Sequence, residues 1–428
     1  MDRHYSIKSR NYKIDGYFVD LFAGCGGLSL GLLAAGWNGK FAIEKNADAY
    51  NTLSKNLVKD GRKQFNWPKW LPQKPISTSY LLSRYGKNLE TLKGTVDLIA
   101  GGPPCQGFSF AGRRTHSDPR NILSKEYIRL VRKLQPRMLL FENVQGFNVP
   151  FRKNGRGTEK TIPYSHIITK RLERMEYTVF SELINFKAFG VPQNRKRFIL
   201  VAIKNDDPAL KKLNGKTPFD LLRDYRRAFL VSKGLNINKP VSTKQAIADL
   251  EITGKSLIRN TETKFKRFKQ IDYAQTKASS PFITLMRKGV INSPDGLRLP
   301  QHETQTVEHF QTIMKTCKQG KSLGEANMKR LQMKKHTLTP LHPNLPSATI
   351  TSLPDDMIHY SEPRILTVRE NARLQTFPDW YSFTGKYTTG GIRRRKDCPR
   401  YTQVANAVPP LFAEALGIVL KRLSDSKQ

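Results

Sequence analysis

The 428-residue chain has only four cysteines, Cys25, Cys105, Cys317 and Cys398, widely separated and without a Cys-x-x-Cys pair. That scarcity points to neither a disulfide framework nor a zinc site. No stretch reaches the roughly 18 uninterrupted apolar residues of a membrane helix. The opening Met1-Asp2-Arg3-His4 is too polar for a signal peptide, so a cytoplasmic protein is expected. Internal repeats and low-complexity tracts are absent. Acid is scarce too: 35 Asp and Glu face 73 Lys and Arg, a net charge of +38. So large a surplus implies a polyanionic partner. The basic residues are interleaved with aromatics, as in Lys264-Phe265-Lys266-Arg267-Phe268-Lys269, which suits a folded groove for phosphates better than a solvated tail.

What is present reads first as a cofactor-binding unit. Tyr17-Phe18-Val19-Asp20-Leu21 is an apolar strand running into the turn Phe22-Ala23-Gly24-Cys25-Gly26-Gly27, and Leu28 to Ala35 continues as a helix. A second strand, Phe41-Ala42-Ile43-Glu44, ends in a carboxylate about 20 residues after the turn, the spacing of a Rossmann-type ribose contact. Taken alone, this turn serves nicotinamide, flavin or S-adenosylmethionine equally. Further strands are expected at Asp97 to Ala100, Arg137 to Phe141, Thr178 to Asn185 and Arg197 to Ile203, with helices at Tyr127 to Leu134 and Ser165 to Met175. The alternation predicts an α/β fold with an open, largely parallel sheet, its site at the carboxyl ends of the strands.

After about residue 225 the rhythm breaks into short, basic, turn-punctuated segments. The division expected is 1–225 as the catalytic and cofactor-binding large domain, 226–399 as a smaller irregular domain, and 400–428 as a segment returning to the large one. In that last part Leu411, Phe412, Leu416, Val419 and Leu420 recur at near-helical spacing.

The chemistry is carried by Gly102-Pro103-Pro104-Cys105-Gln106-Gly107-Phe108-Ser109. The two prolines deny the chain a helix before the sulfur, and the glycines admit close approach of a substrate. A lone cysteine is more often a small buried hydrophobe. Here it is joined by Phe141-Glu142-Asn143-Val144 and by Gln193-Asn194-Arg195-Lys196-Arg197. Pro363 to Asp379 and Gln403-Val404-Ala405-Asn406-Ala407-Val408-Pro409-Pro410 follow in order.

In these blocks and their sequence the chain resembles the DNA cytosine-5 methyltransferases of bacterial restriction-modification systems, over about 17–203 and again 337–420. The resemblance implies a Rossmann-like methyltransferase sheet with a second, smaller target-recognition domain. It implies Cys105 as nucleophile at cytosine C6, Glu142 as the acid at N3, and Arg195 and Arg197 in support. Phe22, Ala23, Gly24, Gly26, Gly27, Leu28, Glu44, Ile76, Pro104, Asn406 and Val408 would hold S-adenosylmethionine. The Arg364 to Asp379 block would organise the smaller domain. Relatives usually carry an acid before the isoleucine that meets adenine, whereas this chain has Pro75-Ile76-Ser77.

The target carbon is inaccessible in stacked DNA, so the base must be swung out. Ser109, Arg113, Arg114 and Arg120 belong to a stretch that could close over the DNA, with Gln193 in register with the arginine pair. Arg287, Lys288, Arg298 and Gln301 are candidates for base or phosphate contact in the variable region 204–336. The expected partner is double-stranded DNA, with a companion restriction endonuclease in function rather than contact, and a monomer suffices. A transfer RNA substrate, or a non-catalytic nucleic-acid-binding regulator, is the alternative.

Overall fold

The computed structural model describes residues 16–59, 64–104, 122–150, 162–262, 267–331, 333, 337–388 and 397–425. Its centre is a six-stranded sheet of β1 (Tyr17–Leu21), β2 (Asn38–Ile43), β3 (Leu98–Gly101), β4 (Met138–Val144), β5 (Tyr177–Asn185) and β6 (Lys196–Lys204). The spatial order is β2-β1-β3-β4-β6-β5. β2, β1, β3 and β4 are parallel, whereas β6 runs antiparallel to both β4 and β5. The parallel half is apolar on both faces, as strands covered by helices on each side must be. Phe18, Leu98, Ala100, Met138 and Leu140 feed one core, and Val19, Leu21, Ile99, Leu139 and Phe141 the other.

On the first face lie α1 (Gly27–Ala34), α5 (Pro218–Ser232) and α7 (Pro410–Ser424). The opposite face carries α2 (Thr78–Arg84), α3 (Ile122–Leu134) and α4 (Tyr164–Glu173). α6 (Val368–Leu374) also turns apolar side chains into the first core. The segment Arg400–Ser424 is long and apolar enough to cross a membrane, but 89% of its most apolar window is buried inside the protein. It docks on α1 so closely that a Cβ on Gly31 would lie 2.4 Å from Ala413 Cβ. Trp37 Nε1 clamps the far end by donating to Gly417 O at 2.9 Å.

A boundary at residue 225 would cut α5, which is one helix capped at Thr217 with Asp220 reaching back in a capping box. Nor does 226–399 share one core. Leu366, Val368, Leu374, Phe377 and Tyr381 pack with Cys25 and Leu28 of the sheet half. Two small clusters stand apart, one around Phe310, Ile313 and Leu338, the other around Leu250, Ile271 and Leu297.

Candidate active site

Strand order reverses between β1 and β3, and a crevice opens at their carboxyl ends. A cavity of about 340 Å³ occupies it. Phe22, Ala23, Gly24, Leu28, Glu44, Ile76, Pro104, Asn406 and Val408 all line this space, together with Glu142, Arg195 and Arg197. Gly26 and Gly27, expected to do the same, are not in its wall. They let α1 approach its neighbours instead: a Cβ on Gly27 would meet Val408 O at 2.4 Å, and one on Gly26 would meet the Tyr381 hydroxyl at 2.7 Å. The turn before them is strained, with Phe22 at φ +58°, a conformation unusual for a non-glycine residue and frequent at functional sites.

One end of the cavity is built from β1 and β2. Glu44 Oε2 accepts the Gly24 amide at 3.0 Å and Oε1 the Asn46 amide at 2.7 Å, which ties the end of β2 to the glycine turn. Burial nevertheless pushes the Glu44 carboxyl above its usual range. Below it Asp20, fully buried, accepts from Ser29 Oγ at 2.6 Å through Oδ2. Its Oδ1 has no partner among the described residues. Burial outweighs the Ser29 bonds and lifts the Asp20 carboxyl to about 7. Asp20 was missed by motif reading, although a lone carboxylate in an apolar strand is itself a signal.

The other end is built from β3, β4 and β6. Antiparallel register sets Arg197 opposite Val144, so Arg197 sits diagonally across from Glu142 on the same face. Arg197 Nε lies 3.2 Å from Glu142 Oε1. Burial raises the Glu142 carboxyl despite the opposing effect of Arg197 and Arg195. Gly102 is needed beneath it, since a Cβ there would stand 3.0 Å from Glu142 Oε2. Asn143 Nδ2 donates to Pro103 O at 3.2 Å and so moors the chain two residues ahead of Cys105. Cys105 itself lies outside the described residues, as do Ser109, Arg113, Arg114 and Arg120. Pro104, the last described residue before Cys105, lines the cavity.

Arg195 Nη2 donates to Ala405 O at 2.9 Å, holding the wall segment 405–408. Gln375 Nε2 reaches the same segment through Val404 O at 3.0 Å and Ala407 O at 2.9 Å. Gln193 is not a DNA-facing residue. It is fully buried, donates to Gln375 Oε1 at 2.7 Å and accepts from Ile350 N at 3.0 Å. Arg287 is partly exposed, with its guanidinium bonded to Asp249 and Thr276 and stacked 4.3 Å over Tyr273. Arg298 is half-buried between Tyr387 at 3.7 Å and Phe268 at 4.3 Å. Lys288 is exposed at the end of the Pro281–Arg287 helix, and Gln301 donates to Arg267 O. Gln375 and Gln403, which binds Thr52, Thr384 and Cys398 O, were not singled out as site residues by sequence, because their partners are remote in the chain.

Residues 16–422 match the family model described as C-5 cytosine-specific DNA methylase. Over 411 residues the chain is 30% identical to the Type II methyltransferase M.DdeI of Desulfomicrobium norvegicum, covering 93% of this chain and 86% of that protein. It is 27% identical to the Type II methyltransferase M1.HphI of Haemophilus parahaemolyticus, over 96% and 88% of the two chains. Among solved structures, one described as a prophage-encoded DNA modification methyltransferase of Escherichia coli shares the fold, with a TM-score of 0.62 at 24% identity. That alignment covers 96% of this chain and 99% of the other.

Proposed function

From the premise that the chain belongs to the C-5 cytosine-specific DNA methylases, we propose that it uses S-adenosylmethionine to methylate C5 of one cytosine within a short double-stranded DNA sequence. The observation that carries this reading is the single cavity that joins Asp20 and Glu44 at one end to Pro104, Glu142 and Arg197 at the other. A cationic amino-acid donor fits the first end: Asp20 Oδ1 is a buried acceptor without a partner, and Glu44 stands where a ribose is held. When bound, the donor supplies an electrophilic methyl group.

At the second end Cys105, as thiolate, adds to C6 of the flipped cytosine. Electron density moves toward N3, where Glu142, whose burial favours the protonated carboxyl, supplies a hydrogen bond and proton. Arg197 holds the Glu142 carboxyl in place, and Asn143 fixes the approach of the Pro103–Pro104 strap. C5 then takes the methyl group. Loss of the C5 proton to base and elimination of the Cys105 thiolate restore the ring, the N3 proton returning to the Glu142 carboxylate and S-adenosylhomocysteine being left behind by the methyl transfer.

The Type II relatives support a role in protecting DNA against a companion endonuclease in the cytoplasm, with a single chain sufficient for catalysis. The irregular part of the chain, beginning after α5 rather than at 226, would read the sequence. Expression in a host lacking cytosine-5 methylation, followed by bisulfite sequencing, tests the reading. Protected cytosines confined to one short motif, and absent with Cys105→Ala, are the expected result. Well-expressed protein with unmodified DNA overturns it and makes transfer RNA the next substrate to assay.

A further inference from the structure

Arg298 differs from the arginines around it. Arg369 and Arg400 each hold a carboxylate, Asp295 for the first and Glu262 for the second. Arg298 holds none: its guanidinium makes no hydrogen bond or ion pair among the described residues, yet the residue is half-exposed and none of its nitrogens is sealed from solvent. The two acids of this stretch are already occupied. Glu262 Oε1 accepts from the Gly296 amide at 2.7 Å and from the Tyr387 hydroxyl at 2.6 Å, and Oε2 takes Arg400. Asp295 Oδ1 takes Arg369, and Oδ2 the Phe383 amide at 2.6 Å. Burial consequently pulls the Arg298 cation below its ordinary range, an effect that Tyr387, Tyr401 and Glu262 do not offset.

In place of a carboxylate Arg298 has aromatic rings, Tyr387 at 3.7 Å and Phe268 at 4.3 Å. A planar cation packed between rings donates only along its edge. The mount is firm. Arg298 bridges antiparallel to Gln270, Leu299 N donates to Lys269 O at 2.9 Å, and Glu262 joins the backbone at Gly296 to the tyrosine that covers the cation. Tyr387 also lines a cleft with Tyr401, Ser352 and Asn406, and the last two belong to the wall of the catalytic cavity as well. The cation is thus one side chain away from a cleft that adjoins the place where the target cytosine is received.

We infer that Arg298 reads a guanine of the recognition sequence, donating two N–H groups to its O6 and N7 in the major groove; this rests on the DNA reading given above. A phosphate needs charge and accepts from many directions, whereas guanine offers two acceptors in one plane, which a guanidinium of fixed plane matches. Bisulfite sequencing of the wild type in a host lacking cytosine-5 methylation gives the recognition sequence. kcat/KM of the full chain is then measured on duplexes carrying each single base-pair change. In Arg298→Gln the preference at one guanine position is expected to fall about thirtyfold, the range of a bidentate arginine–guanine pair, while the other positions keep theirs. Arg298→Met, which leaves an apolar chain between the rings and no donor, shows the same single-position loss, so a folding defect peculiar to glutamine does not decide the outcome. Arg298→Lys, still able to donate to guanine, regains part of the preference. Uniform slowing on every duplex makes Arg298 a phosphate contact and overturns the proposal. So does an unchanged preference with a lower melting temperature, the mark of a purely structural stack. A wild type that leaves DNA unmethylated overturns the reading of the activity itself, and that failure is seen before any variant is made.

Discussion

Glu142 in the sheet half and Glu370 in the 362–379 block are both buried carboxylates beside arginines, and their ionisation goes in opposite directions. Burial raises both, but at Glu142 it prevails over Arg197 and Arg195. At Glu370 it is overridden: Arg364 grips both oxygens at 2.8 Å, the Thr367 amide adds a bond at 2.7 Å, and the carboxyl is held down at about 2. The same contrast runs through the neighbouring residues. Arg373 bonds Asp249 and Asp379 together, and Asp379 takes a further bond from Tyr273 at 2.8 Å. Asp20, in the sheet half, leaves an oxygen unmatched. Charges that are saturated by the fold's own partners tie the 362–379 block to residues distant in the chain, Asp249 and Tyr273 among them. Asp20 and Glu142, less fully partnered, both line the cavity.

Replacing Arg373 with methionine breaks the saturated side of this contrast. Asp249 and Asp379 would be left buried without their main partner, and a loss of about 4 kcal/mol of stability is expected from such a removal. Urea or thermal unfolding measures it; a variant as stable as the wild type would refute the view that this network fastens the 362–379 block. Next in size is Glu142→Gln, which keeps the shape but cannot deliver a proton. Methyl transfer should fall by about a hundredfold or more while the melting temperature changes little, so the two halves of the comparison separate cleanly in paired activity and melting assays.

The smallest effect concerns Asp20. Its carboxyl is raised to about 7 in the folded chain from an ordinary value of 3.8. Its contribution to stability is thus complete below about pH 4 and lost as the pH rises through about 7. Melting of the wild type relative to Asp20→Asn should therefore worsen between pH 5 and pH 8. Binding of S-adenosylhomocysteine, whose ammonium favours the ionised carboxylate, should suffer from Asp20→Asn at pH 8 more than at pH 5.5. A difference that is flat with pH in both assays would remove Asp20 from the under-partnered group.

Local signals carried the fold well. Alternation and apolar runs placed all six strands of the sheet to within a few residues, because the apolar stretch of each strand is written in its own sequence. The antiparallel turn of β6 was not legible, since strand direction depends on where the connection returns. Motif spacing brought Glu44, Glu142, Arg197 and the 405–408 segment to one cavity. It failed at Gln193, where a polar side chain that looks outward in sequence is buried against Gln375, far along the chain. The cut at 225 failed for a different reason. The start signal Thr217-Pro218-Phe219-Asp220 was present in the sequence and outweighed by the change in composition beyond it.

The docking of α7 in the glycine-floored groove of α1 also sets an order in time. A ribosome delivers β1 and the glycine turn early, whereas Asn406 and Val408, which line the same cavity, follow all six strands, and α7 closes on Gly31 just beyond them. All six strands of the sheet thus leave the ribosome before the residues that complete the cavity wall. A chain halted between β6 and Asn406 would therefore carry every strand of the sheet and a cavity still missing part of its wall.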